Sequence, residues 1–118
     1  MKKIIYLFLL LGIIFPLSNG AQTVLSDKQP ELKYNLFQNY PNPFNPATTV
    51  RFTIPEETKV SLKVFNALGV EVADLMDTVK PAGDYAVEFS GENLPSGIYF
   101  LQLKAGSYMS IKKMILLK

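Results

Sequence analysis

Apolar and polar residues alternate along most of the chain with the two-residue period of a β-strand. In the first such run, Val50, Phe52 and Ile54 fall on one side, and Arg51 and Thr53 fall on the other. Because successive side chains of a strand point to opposite faces of a sheet, this run has one face for the core and one for solvent. We therefore expect an antiparallel sheet with one wet face.

Further runs repeat this alternation, and clusters of turn residues separate them. Their apolar positions are Val60, Leu62 and Val64, then Val70 and Val72, then Tyr85, Val87 and Phe89, and then Tyr99, Leu101 and Leu103. Residues 66–69, 81–84, 90–97 and 105–107 carry the Asn, Pro, Gly and Ser typical of turns and loops. Residues 75–80 have no clear period. The third strand is therefore predicted to be short.

The final strand changes phase part-way along its length. Met109 and Ile111 occupy alternate positions, but Met114 and Leu116 are one residue out of step with them. A β-bulge near residues 112–113 would place both halves on the same face of the sheet.

Six or seven short strands thus follow one another at spacings of about 8 to 12 residues, with no run of helical period. This pattern predicts an all-β fold, an immunoglobulin-like antiparallel β-sandwich. Residues 97–101 have the spacing of a tyrosine corner, in which Tyr99 precedes the inward position Leu101 by two residues. The alternative is that Tyr99 is an ordinary aromatic residue of a strand.

The segment before the first strand combines aromatic rings with prolines: Phe37, Tyr40, Pro41, Pro43, Phe44 and Pro46. Proline fixes φ and lacks a backbone N–H, so this segment cannot be helix or central strand. Two interpretations stay open. The cluster is either a preformed extended ligand for another protein, or its rings fold back over one end of the sandwich.

The amino-terminal segment has the organisation of a secretory signal peptide. Lys2 and Lys3 precede an apolar run over residues 4–17, and small residues follow it. An uncleaved membrane anchor is disfavoured, because the run is shorter than the roughly 20 residues that span a bilayer. The predicted organisation is a signal peptide over residues 1–21, a flexible leader over residues 22–35 and a folded domain over residues 36–118.

The charge of the chain changes when the predicted signal peptide is removed. Twelve basic residues fall to ten, which equals the ten acidic ones. A neutral surface without a basic cluster argues against nucleic acid, since binding depends on neutralising phosphates. Contact with a membrane is expected only through the transient signal peptide.

The composition removes most catalytic chemistry. There is no histidine and no cysteine, so a Ser-His-Asp triad, a Cys-His pair and the usual zinc sites are excluded. The carboxylates lie in turns or at polar strand positions, where solvated charge is expected. We predict no catalytic, metal-binding or cofactor-binding residue, and no small-molecule substrate.

The last strand is a second candidate for protein recognition. Lys112, Lys113 and Lys118 flank the apolar residues 114–117. If this strand lies at a sheet edge, a partner's strand could join its unpaired backbone groups, although lysines at an edge also guard against such pairing.

Four blocks carry a resemblance to a known family: NPFNPATTVRFTIP at residues 42–55, VFNALGVEV at 64–72, LPSGIYF at 94–100 and KKMILLK at 112–118. In this order and spacing they resemble the type A C-terminal sorting domain of the type IX, or Por, secretion system. The resemblance spans residues 36–118. It implies an immunoglobulin-like sandwich related to that of flagellar hook-capping proteins.

The resemblance implies a non-catalytic export signal of Bacteroidetes-type bacteria. After Sec export to the periplasm, outer-membrane secretion machinery would recognise the domain and move its cargo to the cell surface or the extracellular space. A sortase-like peptidase would then remove the domain, by cleavage within about residues 22–36, and attach the cargo to lipopolysaccharide.

The resemblance also implies which residues are recognised: Asn42, Pro43, Phe44, Gly69, Gly97, Tyr99, Lys112, Lys113, Met114, Leu116 and Lys118. A stand-alone immunoglobulin-like module with an adhesive or scaffold role, in the periplasm or at the cell surface, is the alternative function.

Overall fold

The computed structural model of the protein describes residues 31–118, so the predicted signal peptide and most of the predicted leader lie outside the described residues. The strands are β1 (Asn35–Leu36), β2 (Ala47–Ile54), β3 (Thr58–Asn66), β4 (Glu71–Lys80), β5 (Gly83–Ser90), β6 (Gly97–Ala105) and β7 (Tyr108–Leu116). This part of the chain contains no helix, and therefore none that is long and apolar enough to cross a membrane. The all-β prediction is confirmed.

The seven strands form two antiparallel sheets. One sheet has the order β1-β2-β5 and the other the order β4-β3-β6-β7. The β3–β4 and β6–β7 hairpins and a longer connection from β1 to β2 join neighbouring strands of one sheet, while the chain changes sheets after β2, β4 and β5. Two layers linked in this way form an immunoglobulin-like sandwich, as the strand spacing predicted.

The core lies between the sheets and consists of the inward positions of the strands. Every predicted inward residue of β2 and β3, together with Leu101 and Leu103 of β6, is almost completely buried. Burial of each such side chain contributes about 1.5–3 kcal/mol relative to exposure. Leu101 stands where antibody domains place a disulfide cysteine, so apolar packing holds the two sheets together at this point.

Thr53 departs from the alternation in β2. It was predicted to lie on the solvent face with Arg51, but only 7% of Thr53 is exposed. Its hydroxyl donates a hydrogen bond to Asp84 Oδ1 on β5 at 2.6 Å, and Asn35 of β1 lies beside it in the sheet. The prediction was wrong because strands on both sides cover this position, and the carboxylate satisfies the buried hydroxyl.

The prediction of a short third strand was also wrong. β4 has ten residues, and two register shifts interrupt its pairing with β3. At each shift β4 has one residue more than β3, first Val72 and then Leu75. A bulge moves the following side chains to the opposite face, so a continuous strand loses its two-residue period.

The bulge predicted for the last strand does not exist. β6 and β7 pair without a register shift from Ala105 opposite Tyr108 to Gly97 opposite Leu116. Met114 and Leu116 face the core, whereas Met109 and Ile111 lie on the outer face, with 55% and 50% of their surfaces exposed. The change of phase in the apolar pattern of β7 therefore arises because two apolar side chains lie on the outer face of the sheet.

The tyrosine corner is present. The Tyr99 hydroxyl donates a hydrogen bond to the carbonyl oxygen of Pro95, four residues upstream, at 2.6 Å. Tyr99 is 3% exposed and lies near the start of β6, at the entrance from the β5–β6 loop. Tyr85 makes an equivalent bond to the Pro81 carbonyl at 2.5 Å, at the start of β5. These bonds fix the backbone where the chain enters each strand.

Candidate functional site: the motif end of the sandwich

The four sequence blocks meet at one end of the four-stranded sheet. In β6, Tyr99 lies between Asn66 of β3 and Met114 of β7. Phe44 forms a parallel bridge to Leu116 on the other side of β7. We call this region the motif end and define it as residues 42–44, 66–70, 95–99 and 113–118.

Asn42 and Phe44 attach the entry segment to β7. The backbone N–H of Ile115 donates to Asn42 Oδ1 at 2.9 Å, and the Phe44 N–H donates to the Ile115 carbonyl at 2.9 Å. The N–H of Leu117 then donates to the Phe44 carbonyl at 3.0 Å. These bonds close the carboxyl-terminal half of the β7 edge, so a partner strand cannot join residues 114–117 as the sequence had suggested.

Two polar residues that sequence reasoning missed hold the entry segment in place. Gln38 Nε2 donates to the Lys113 carbonyl at 2.8 Å and to Asn39 Oδ1 at 2.7 Å. Asn39, only 2% exposed, donates to Thr48 Oγ1 at 3.0 Å and to the Pro41 carbonyl at 3.1 Å. Each buried polar group thus has a partner. No motif in the sequence indicates that Asn39 is buried or that Gln38 binds β7, because the partners of both amides are brought to them by the tertiary fold.

The aromatic rings of the entry segment have three different fates. Phe44 is 1% exposed and packs against Phe89, with ring centroids 5.9 Å apart. Phe37 is half-buried beneath the guanidinium of Arg51, whose Cζ lies 4.6 Å from the ring centroid. Tyr40 remains 81% exposed. The interpretation that the rings cover the sandwich is correct for Phe44 and wrong for Tyr40.

Gly91 is a further residue that sequence reasoning did not assign to the site. Its N–H donates to the Pro46 carbonyl at 2.7 Å, and the residue is buried. A Cβ atom at this position would lie 2.7 Å from Leu116 Cδ2 and 3.4 Å from the Phe44 ring. Only glycine lets the β5–β6 loop approach these two core side chains so closely.

Lys118 binds the β5–β6 loop. Its backbone N–H donates to Ser96 Oγ at 3.0 Å, and its ammonium donates to the carbonyls of Glu92 and Leu94 at 2.7 and 2.8 Å. Backbone carbonyls are good acceptors for an ammonium, and charge-assisted bonds of this kind are short. The last residue of the chain is therefore held against the same loop that carries the tyrosine corner.

The β3–β4 turn completes the motif end. Asn66 Oδ1 accepts hydrogen bonds from the N–H groups of Leu68 and Val70 at 2.9 and 3.0 Å. Gly69 has a φ of 84°, a left-handed conformation that glycine adopts without steric cost. This geometry explains the predicted turn. Gly69 also lines an outer-face depression of about 430 Å³ with Phe65, Phe100, Gln102 and Ile111.

The predicted recognition residues divide into a buried and an accessible group. Phe44, Tyr99, Met114 and Leu116 are buried in the core, so a partner cannot contact them while the domain is folded. Asn42 and Lys112 are half-buried. The exposed members are Pro43, Gly69, Gly97, Lys113 and Lys118. All but one of the predicted residues lie at the motif end itself, whereas Lys112, opposite Leu101, lies just beyond it.

The exposed members have large apolar neighbours that the predicted set did not include. Leu68, Val70, Ile98 and Leu117 are 88%, 55%, 43% and 56% exposed. Among residues 31–118, no group of three or more acidic side chains lies close enough to share a metal ion. The motif end is thus a mixed apolar and basic surface suited to contact with another protein.

The comparison with protein families agrees with this geometry. The family model described as the secretion system C-terminal sorting domain matches residues 38–117. The chain belongs to this family. The match begins at Gln38, which binds Lys113, and ends at Leu117, which binds Phe44, so it includes every residue of the motif end except Lys118. No curated protein matches the chain.

Membership in the family assigns the chain a role. The sorting domain is a signal for the type IX secretion system and not a catalytic family. It directs export to the cell surface or the extracellular space and interacts with the secretion machinery.

Proposed function

We propose that the secretion machinery reads the folded sorting domain at the accessible surface of the motif end. The observation that carries this proposal is that four sequence blocks, far apart in the chain, meet in one hydrogen-bonded cluster. Core packing supports this surface through four buried side chains, those of Phe44, Tyr99, Met114 and Leu116. Pro43, Lys113, Leu117 and Lys118 provide the side chains that a partner contacts.

The route before recognition follows from the predicted signal peptide. Residues 1–21 direct the chain through the Sec pathway, and the domain folds in the periplasm before it meets the outer-membrane machinery. The domain contains no cysteine, so its folding there needs no disulfide chemistry. Non-catalytic function also agrees with the lack of histidine.

A sortase-like peptidase then cuts ahead of the domain and attaches the released cargo to lipopolysaccharide at the cell surface. The packing of the entry segment supports a cut before Tyr34. Tyr34 stacks on Tyr108 with ring centroids 5.1 Å apart, and Leu36 is 1% exposed in a strand pair with β2. A protease needs an extended, accessible backbone, and cleavage beyond Tyr34 would require β1 to leave the sheet.

An export assay tests the recognition step. The full chain without residues 1–21 is fused behind a Sec-exported reporter in a bacterium that has a type IX secretion system. We expect the reporter at the cell surface or in the medium, and in the periplasm of a matched strain that lacks the system. A reporter that stays periplasmic in both strains would contradict the proposal and leave the adhesive or scaffold role as the better account.

The fate of the exported reporter tests the peptidase step separately. Mass spectrometry of surface-bound reporter should show a new carboxyl terminus upstream of Tyr34 and a lipopolysaccharide adduct. Exported reporter that still carries the intact domain would refute cleavage without affecting recognition.

A further inference from the structure

The edge of β7 consists of two halves with different backbone environments. β7 is the last strand of the four-stranded sheet, and β6 pairs with only one side of it. On the other side, Asn42, Phe44 and Gln38 bind the backbone of Ile115, Leu117 and the carbonyl of Lys113. The carboxyl-terminal half is therefore closed by the protein itself.

In the amino-terminal half of the edge the backbone has no strand partner, although the Tyr34 ring stacks on Tyr108 where β7 begins. Backbone groups along a strand alternate in direction, so the N–H and C=O groups of Met109 and Ile111 point the same way as those of Ile115. Within residues 31–118 these groups have no backbone hydrogen-bond partner. The side chains of Met109 and Ile111 are also half exposed, at 55% and 50%. Unpaired backbone beside apolar side chains is a template for another strand.

The charges around this open edge are basic and unpaired. Lys104 lies directly across from Met109, and Lys112 and Lys113 follow Ile111. In the described part of the chain none of these three lysines has a carboxylate within ion-pair distance.

The far side of the same sheet differs in charge. There Lys59 binds Asp77 and Lys63 binds Glu71, each at 3.3 Å. The sheet is thus charge-balanced next to β4 and positive next to β7. A partner that docks on β7 gains most if it brings negative charge.

We propose that the open half of β7 binds an extended, acidic segment of another protein as an added strand. Its apolar side chains lie beside Met109 and Ile111 on the outer face, and its carboxylates lie on the opposite face beside Lys112. Main-chain hydrogen bonds supply affinity and the alternating side chains supply selectivity. This docking surface lies along the edge of the sheet and borders the accessible surface of the motif end at Lys113.

A second copy of the chain fits the edge less well. Pairing β7 with another β7 would bring Lys104, Lys112 and Lys113 of both copies together without a compensating carboxylate. Pairing β7 with β4 of another copy would meet an edge that two bulges make irregular. An acidic segment of a different protein has neither problem.

Two synthetic peptides test the proposal with the full chain. One alternates isoleucine with glutamate, and the other alternates isoleucine with lysine. Amide hydrogen exchange, resolved by residue, is measured with and without each peptide. We expect the glutamate peptide to slow exchange at Met109, Ile111 and Lys113, and the lysine peptide to leave these amides unchanged.

A charge reversal adds a matched control. In Lys112→Glu/Lys113→Glu the glutamate peptide should bind about tenfold more weakly and the lysine peptide more tightly. Lys59→Glu/Lys63→Glu, on the β4 side of the same sheet, should keep the wild-type preference. Ile111→Pro removes one edge-facing N–H and no bond to β6, so it should abolish protection while the domain stays folded.

Three results would overturn the proposal. The first is that neither peptide protects the edge amides of the wild-type chain. The second is equal binding of both peptides, which would show that charge does not select the partner. The third is protection that rises with protein concentration in the absence of peptide, which would identify a second copy as the occupant.

Discussion

The side-chain oxygen of Asn42 accepts a hydrogen bond from the backbone N–H of Ile115 at 2.9 Å. These residues are 73 positions apart in the chain, and the bond joins the first sequence block of the family to the last. Because the Asn42 oxygen takes the place of a partner strand's carbonyl, it closes the β7 edge at the point where regular pairing is missing.

Removing this acceptor should destabilise the motif end. We expect Asn42→Ala to lower the free energy of unfolding by about 1–2 kcal/mol, since the Ile115 N–H loses its partner in a half-buried position. Asn42→Asp keeps the oxygen and should cost less than half as much. Urea unfolding measures both variants. Equal losses in the two variants would show that the Ile115 bond does not carry the effect.

Gly91 predicts a steric effect in the core next to the same strand. A methyl group at this position would lie 2.7 Å from Leu116 Cδ2, a fully buried atom that cannot move into solvent. We expect Gly91→Ala to cost about 1–3 kcal/mol of stability through overpacking.

A double-mutant cycle identifies the contact responsible for the Gly91→Ala cost. In a Leu116→Val background the δ-carbon is absent, and the cost of Gly91→Ala should fall by more than about 0.5 kcal/mol. Additive costs in thermal or urea unfolding would mean that the strain comes from another neighbour.

The two proline-bonded tyrosines should differ in their contribution to stability. Tyr99→Phe leaves the Pro95 carbonyl without its donor beside a residue that is 3% exposed, and we expect a loss of about 1–2 kcal/mol. Tyr85→Phe is the matched control, because it removes the same type of bond at an exposed position where water replaces it. It should cost less than about 1 kcal/mol. Tyr85→Phe that costs as much as Tyr99→Phe in urea unfolding would contradict the role of burial.

The hydrogen bond of Tyr34 should make the stability of the domain depend on pH in the alkaline range. Its hydroxyl donates to Glu56 Oε2 at 3.0 Å, and this hydrogen bond raises the pKa of Tyr34 above its ordinary 10.0, with smaller contributions from desolvation and the Glu56 charge. A raised folded-state pKa gives a stabilisation that is complete below the unfolded value of 10.0. This stabilisation is lost as the pH rises through the folded-state pKa.

The variant Tyr34→Phe isolates this effect, because it keeps the stacked ring against Tyr108 and removes the hydroxyl. Wild type should be more stable than Tyr34→Phe at neutral pH, and the difference should shrink above pH 10. Urea midpoints at several pH values provide the measurement. A difference that grows with alkaline pH would refute the assigned cause.

The alternation of residue types was sufficient to predict most of the fold. In β2, β3 and β6 apolar residues occupy one face and polar residues mostly occupy the other, so the two-residue period identifies both the strand and its buried face. β4 could not be predicted in this way because bulges at Val72 and Leu75 change its phase. The prediction of a bulge in β7 was wrong for the opposite reason. Its pairing is regular, and the apolar side chains of Met109 and Ile111 lie on the surface.

The candidate site was predictable only in part. The family-like sequence blocks identified Asn42, Phe44 and Lys118 as candidate site residues. They did not indicate that Phe44 is buried or that Lys118 binds carbonyls of the β5–β6 loop. No sequence pattern identified Gln38 or Gly91 as a site residue. The amide of Gln38 binds a backbone carbonyl and Gly91 avoids a steric clash, and both roles depend on tertiary contacts. Sequence patterns report which face a residue occupies, and they do not report distant partners.

In our proposal the secretion machinery recognises the accessible surface of the motif end. Leu117 and Val79 offer a matched pair for testing it, because they are 56% and 53% exposed and belong to opposite ends of the sandwich. The measurement is the fraction of a fused reporter that a type IX secreting strain exports, with equal resistance to periplasmic protease as evidence of folding. We predict that Leu117→Ser leaves the reporter in the periplasm and that Val79→Ser exports it as wild type does. Equal export of the two folded variants would contradict the claim.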